Sequence, residues 1–126
     1  MNNLFLQNLA KLVQQSQTCL TVCTGAALLA ATGVLDGKPA TTNKRAFEWV
    51  RGTRTQVRWQ QKARWVSTEK FYTSSGVSAG MDMTLGFIAD RWGLETAQEI
   101  ASRCEYLWQN DPDTDPFAHS AEFESA

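Results

Sequence analysis

A single histidine, His119, serves the whole chain of 126 residues, and its three cysteines (Cys19, Cys23, Cys104) are odd in number and irregularly spaced. That inventory argues against a disulfide framework and against a zinc site. Cys19-x-x-x-Cys23 and one distant imidazole do not supply ligands at metal spacing. Free thiols suit a reducing compartment, so a cytoplasmic location is expected. No apolar run approaches the length of a membrane span; the stretch from Gly25 to Leu35 is far too short. No positive charge precedes Lys11, so a secretory leader is not expected. Internal repeats and low-complexity segments are absent. The net charge of −1 gives the chain no overall bias toward nucleic acid or acidic membrane surfaces.

What is present is enough apolar material, 43% of residues, to build one domain with a real core. The charges are unevenly spread. Seven of the twelve basic residues (Lys44, Arg45, Arg51, Arg54, Arg58, Lys62, Arg64) fall in one stretch with Trp49, Trp59 and Trp65 among them. Such a stretch can bind RNA or single-stranded DNA; here it reads instead as a solvated helix face followed by a strand pair. After Trp108 the chain carries Asp111, Asp113, Asp115, Glu122 and Glu124 and no lysine or arginine. Residues 1–108 are therefore expected to form the α/β domain, with 109–126 an acidic tail that is loose or draped over a neighbour.

Apolar spacing predicts an amphipathic helix over 1–17, with Phe5, Leu9, Leu12 and Val13 on one face. A β-type segment over 18–22 follows, then helix over 24–32 stopping at Gly33. Thr42 is expected to cap a helix over 43–51. Strands are expected over 63–67 and 71–74, with a third over 56–59. Two further helices follow. The first has Met81, Leu85, Ile88 and Trp92 inward, the second Ala97, Ile100, Ala101 and Cys104. This alternation is an α/β pattern, in which ligands gather at the carboxyl ends of the strands.

Cys23 is placed there, in Leu20-Thr21-Val22-Cys23-Thr24-Gly25-Ala26-Ala27, at the tip of a strand-to-helix turn. Unpartnered N–H groups and the helix dipole stabilise negative charge on its sulfur, the condition for a nucleophile. A buried structural cysteine is the alternative. Ser74-Ser75-Gly76-Val77-Ser78-Ala79-Gly80 is a second small-residue turn into a helix. If its strand runs parallel to the first, the two turns meet at one sheet edge.

Val22-Cys23-Thr24-Gly25-Ala26, then Leu35-Asp36-Gly37, Ala40-Thr41-Thr42 and Thr73-Ser74-Ser75-Gly76-Val77-Ser78-Ala79-Gly80-Met81-Asp82, resemble the ThiJ/PfpI superfamily of glutamine-amidotransferase-like proteins. Glu105-Tyr106 and Asp115-Pro116-Phe117-Ala118 fit the same branch, the one containing isonitrile hydratase and the ligand-binding-like domains of AraC-type regulators. The resemblance implies a flavodoxin-like three-layer α/β sandwich with a parallel sheet, N-terminally truncated. The family's first strand, acidic helix and Gly-rich loop are expected to lie outside this sequence, either supplied by another chain, lost, or replaced by an oligomeric arrangement. It implies Cys23 as nucleophile and Thr24 as its catalytic partner, with Gly25 and Ser78 at the substrate and backbone N–H groups of Thr24 and Gly25 in an anion site. It also implies a small electrophile as partner, no metal or organic cofactor, and a homodimer or higher oligomer; Trp59, Trp65, Trp108 and Phe117 are contact candidates.

Hydration of an isonitrile to an N-substituted formamide is thus the leading expectation. A catalytically inactive fragment or ligand-sensing and assembly module is the first alternative, glyoxalase or deglycase chemistry the second. Many relatives carry histidine where Asn43 follows Ala-Thr-Thr, which argues against a Cys–His hydrolase. Asp36, Glu48 and Asp82 are the nearest carboxylates for acid–base work, each with a structural reading beside it. Nothing after Trp108 has the length for a helix-turn-helix region.

Overall fold

The computed structural model describes residues 2–119. Helix α1 (Asn3–Gln15) begins where the Asn2 side chain accepts from the Leu4 and Phe5 N–H groups at 2.8 and 3.3 Å. It leads into β1 (Cys19–Thr21) and α2 (Gly25–Ala31). Then come β2 (Pro39–Ala40), α3 (Phe47–Thr53), β3 (Arg58–Trp59), β4 (Trp65–Ser67) and β5 (Phe71–Ser74), followed by α4 (Val77–Trp92) and α5 (Leu94–Arg103). The main sheet has three strands in the order β1-β5-β4. β1 and β5 are parallel with Cys19 opposite Phe71, and β4 and β5 form an antiparallel hairpin with Trp65 opposite Ser74.

Side chains alternate across the sheet and build two apolar layers. Phe71 joins Val13, Leu29, Ala30 and Leu35 on one face, with Cys19 packed against them. Tyr72 joins Trp65 and Met83 on the other, with Leu20 and Phe87. Helices therefore cover both faces: the domain is a three-layer, flavodoxin-like α/β fold. The strand expected over 56–59 forms only at β3. It pairs in parallel with β2, an element too short for its apolar pattern to show in the sequence.

Three expectations about helix faces are corrected. In α1, Val13 is buried and Leu9 partly so, but Phe5 and Leu12 are exposed. In α4 the inward residues are Ala79, Gly80, Asp82, Met83, Leu85 and Gly86, while Met81 and Trp92 face out. The reason is close approach. A Cβ at Gly80 would stand 2.8 Å from a Val22 methyl, and one at Gly86 2.9 Å from the Trp65 indole, so the light face of the helix lies on the sheet. In α5, Ala97 and Ala101 are buried as expected, but Cys104 is exposed. Helix α3 also starts at Phe47 rather than Asn43, and the Thr42 hydroxyl donates to the Cys23 carbonyl instead of capping it.

Helix α5 ends in a Schellman motif: Tyr106 N–H bonds the Ala101 carbonyl at 2.9 Å and Glu105 N–H the Ser102 carbonyl at 3.0 Å. The residue forced into positive φ is Glu105, at 52°, where glycine is usual. Glu105→Gly is expected to stabilise the fold by about 1 kcal/mol by relieving that conformation, read as a higher urea midpoint with an unchanged slope. This turn aims Tyr106 back at α4, where its hydroxyl donates to Asp82 at 2.9 Å.

The acidic segment, expected to be loose or draped over a neighbour, lies against the rest of the domain as far as it is described. Arg64 and Trp65 N–H groups both donate to the Pro112 carbonyl, at 2.7 and 3.3 Å, and Asp115 N–H donates to the Lys62 carbonyl at 3.1 Å. Asp115 and Ala118 are buried. Glu122 and Glu124 lie outside the described residues.

Candidate functional site

Cys23 sits between β1 and α2 with φ of +57°, one of two described non-glycine residues in the left-handed region. Its backbone is held from both sides. The N–H donates to the Ser75 carbonyl at 2.9 Å, and its carbonyl accepts from the Thr42 hydroxyl at 2.8 Å. The Ser74 hydroxyl donates to the Thr21 carbonyl at 3.1 Å, tying the ends of the two parallel strands together. The two small-residue turns therefore meet at the carboxyl edge of the sheet. Backbone strain of this kind persists only where the surroundings over-determine it.

Cys23, partly buried, lines a cleft of about 250 Å³. Ser75, Ser78 and Val77 line it from the β5–α4 side, Asn43 and Lys44 from the loop after β2, and Arg64, Asp115 and Phe117 from the far side. Of the residues expected at the substrate, Cys23 and Ser78 are brought together here. Thr24 and Gly25 stand outside the lining. Thr24 is exposed and its hydroxyl makes no capping bond. The Gly25 N–H is already donated to the Val22 carbonyl at 3.0 Å, so it is not available to an anion.

The carboxylates weighed for acid–base work are engaged elsewhere. Asp36 pairs with Arg54 through bonds of 2.9 and 2.6 Å, which hold its carboxyl below the usual range. Glu48 pairs with Arg51 on the surface at 2.6 Å. Asp82 is fully buried and binds Arg64 at 2.7 Å, with Tyr106 and the Gln109 N–H on its other oxygen. His119 is exposed and lies outside the cleft lining. Cys19 packs into the first core layer, where burial pushes its thiol up.

The basic stretch departs most from its expected solvated character. Lys44 is 2% exposed and Arg64 6%. The Lys44 ammonium donates to the Thr41 hydroxyl and the Thr42 and Ala63 carbonyls, at 2.8, 3.3 and 2.7 Å, and lies 3.7 Å from Asp115. Burial pushes Lys44 down to about 8, with Asp115 opposing. Arg64 bridges Asp82 and Asp115. Two cations and two carboxylates thus neutralise each other beneath the cleft. Segregation of the charges, basic in the middle and acidic at the end, was the signal in the sequence for this pairing. Of the proposed oligomer contacts, Trp65 is buried in the core and Trp59 and Trp108 spend their indole N–H groups on the Arg54 and Asp82 carbonyls.

Among the described residues no helix is long and apolar enough to cross a membrane, and no group of His, Cys, Asp and Glu is placed to hold a metal ion.

A parallel strand pair, helices on both faces and a cysteine at positive φ on the strand-to-helix turn define a flavodoxin-like domain with an elbow-borne thiol. The family model described as DJ-1/PfpI family matches residues 1–90, and the chain belongs to that family. It is 33% identical over 109 residues to an isonitrile hydratase from Pseudomonas putida, a match covering 82% of this chain and 46% of that protein. A THiJ/PfpI family protein from Pseudomonas syringae superposes with a TM-score of 0.73 at 25% identity, over 98% of this chain and 51% of that one. Drosophila melanogaster DJ-1beta gives 0.68 at 18% identity, over 85% and 56%. The chain spans about half the length of these relatives.

Proposed function

We propose that the chain carries the nucleophilic half of an isonitrile hydratase-type site. What carries this reading is Cys23, held at positive φ by a bond to the Ser75 carbonyl and one from the Thr42 hydroxyl, and lining a cleft. The likeness to the Pseudomonas putida isonitrile hydratase supports it. The Cys23 thiolate adds to the terminal carbon of R–N≡C while that carbon takes a proton, giving a thioimidate, R–N=CH–S–Cys23. Water then adds to the carbon, and the C–S bond breaks to release R–NH–CHO and the thiol. Ser78, at the first turn of α4 in the same cleft, is a hydroxyl for the substrate nitrogen. Thr24 keeps its proposed part as a surface hydroxyl beside the elbow.

The test is turnover of an alkyl isonitrile followed by NMR. Formamide product that disappears in Cys23→Ala supports the assignment, and turnover that survives the substitution removes it. Consumption of a dicarbonyl in preference to the isonitrile reassigns the site to glyoxalase or deglycase chemistry.

A second reading is a ligand-sensing or assembly module on the same scaffold. It is favoured by the condition of Asp115, the cleft's carboxylate, which is buried against Lys44 and Arg64 and not presented for proton transfer. Alkylation of Cys23 at pH 6 distinguishes the two. A rate well above that of free cysteine supports the enzyme, a rate equal to it the module.

A further inference from the structure

We propose that the segment 109–118 is a fixed wall of the Cys23 cleft, with Asp115 as its positioning residue and Phe117 as the side chain that sets which ligand substituents reach the thiol; this rests on Cys23 being the reactive group of that cleft. Asp115 and Phe117 line the same cavity as Cys23, although they lie far away in the sequence. The wall is anchored along its length. Pro112 accepts from Arg64 and Trp65, Asp115 N–H donates to Lys62, and the Ala118 carbonyl accepts from the Gln61 side chain at 3.4 Å.

Asp115 connects this anchoring to the cleft. One carboxylate oxygen accepts from Arg64 at 3.4 Å and from the Phe117 N–H at 3.0 Å. The other has no hydrogen bond and faces Lys44 at 3.7 Å. The carboxylate therefore holds the backbone of Phe117 directly. Pro116 between them fixes φ and stiffens the link. Phe117 itself is 64% exposed, so its ring is not packed into the core; the bond from its N–H to Asp115 fixes the backbone from which the ring projects. A buried ion pair is not required for stability, since apolar replacements of such pairs are often as stable. What the pair adds here is a defined backbone position for the residue that brings an aromatic side chain to the cleft.

The experiment compares second-order alkylation rates at Cys23 for a small reagent, iodoacetamide, and a bulky aromatic one, N-(1-pyrenyl)maleimide. Peptide mapping separates Cys23 from Cys19 and Cys104. The ratio of the two rates cancels the thiolate fraction common to both. Phe117→Ala, a change at an exposed side chain, is expected to raise the bulky-to-small ratio on the order of tenfold at Cys23 and leave it unchanged at Cys104. Asp115→Ala is expected to do the same, and the double variant to add nothing further, because one residue acts through the other. An unchanged ratio in Phe117→Ala overturns the wall. Additive effects in the double variant overturn the role of Asp115. If Asp115→Ala does not fold, Phe117→Ala alone decides. Absence of isonitrile turnover leaves these ratios measurable, so failure of the chemical assignment is told apart from failure of the wall.

Discussion

Asp82→Ala is expected to destabilise the domain by about 3–5 kcal/mol, the cost of leaving a buried partner charge uncompensated. Asp82 is fully buried and ties α4 to Arg64, just before β4, and to the segment after α5. Arg64 reaches one oxygen at 2.7 Å, the Tyr106 hydroxyl and the Gln109 N–H reach the other, and the Trp108 indole binds its carbonyl. Truncation leaves Arg64 with the longer contact to Asp115, the Gln109 N–H without its acceptor and the Tyr106 hydroxyl with only the longer bond to the Ser78 carbonyl. Asp82→Asn keeps an acceptor for Tyr106 and Gln109 but not the negative charge, so it is expected to fall between wild type and alanine. Tyr106→Phe removes one bond and is expected to cost about 1 kcal/mol. Urea unfolding checks all three, and a loss below about 1 kcal/mol in Asp82→Ala would mean that Arg64 reaches solvent without help.

Raising the pH is the second large lever, and its sign is the opposite of the usual alkaline loss. Lys44 falls from 10.5 in the open chain to about 8 in the fold, first because it is desolvated. Between those values the unfolded chain holds a proton that the folded one has released. Stability contributed by this group therefore rises with pH from about 8 to about 10.5, by about 3 kcal/mol in total. Below pH 8 both states carry the ammonium and its burial counts against the fold. Urea midpoints at pH 7 and pH 10 should show wild type gaining on Lys44→Met over this interval. Parallel profiles for the two proteins would refute the assignment. The Asp115 carboxylate resists the shift, so Asp115→Asn is expected to lower the midpoint of the gain.

The architecture was legible because short-range signals agreed. The β-type run before Cys23, the stop at Gly33 and the hairpin around Thr68 all sit where they were expected. The β2–β3 ladder was not legible, because each of its strands has two residues and no periodicity to read. Helix α4 misled in part for a different reason: Leu85 is inward as expected, but Met81 and Trp92 face out, while glycine permits close contact on the inner face. At the site, Cys23 and Ser78 followed from the two small-residue turns. Asp115, Phe117 and Lys44 did not, since their association depends on Arg64 and Asp115 meeting across 51 positions. Charge composition by itself could not tell a solvated lysine from one sealed under a cleft.

The two bonds that hold the Cys23 backbone come from Thr42 and Ser75, one after β2 and the other after β5. Neither partner is a sequence neighbour, so no local peptide can reproduce this geometry. The elbow takes its final shape only when long-range strand pairing is complete, which is a slow class of event in a mixed α/β chain. A nascent or clipped polypeptide therefore lacks this elbow. On the proposed reading of Cys23 as a nucleophile, fast reaction at that sulfur would be a certificate of finished assembly, usable as a refolding assay long before any substrate is known.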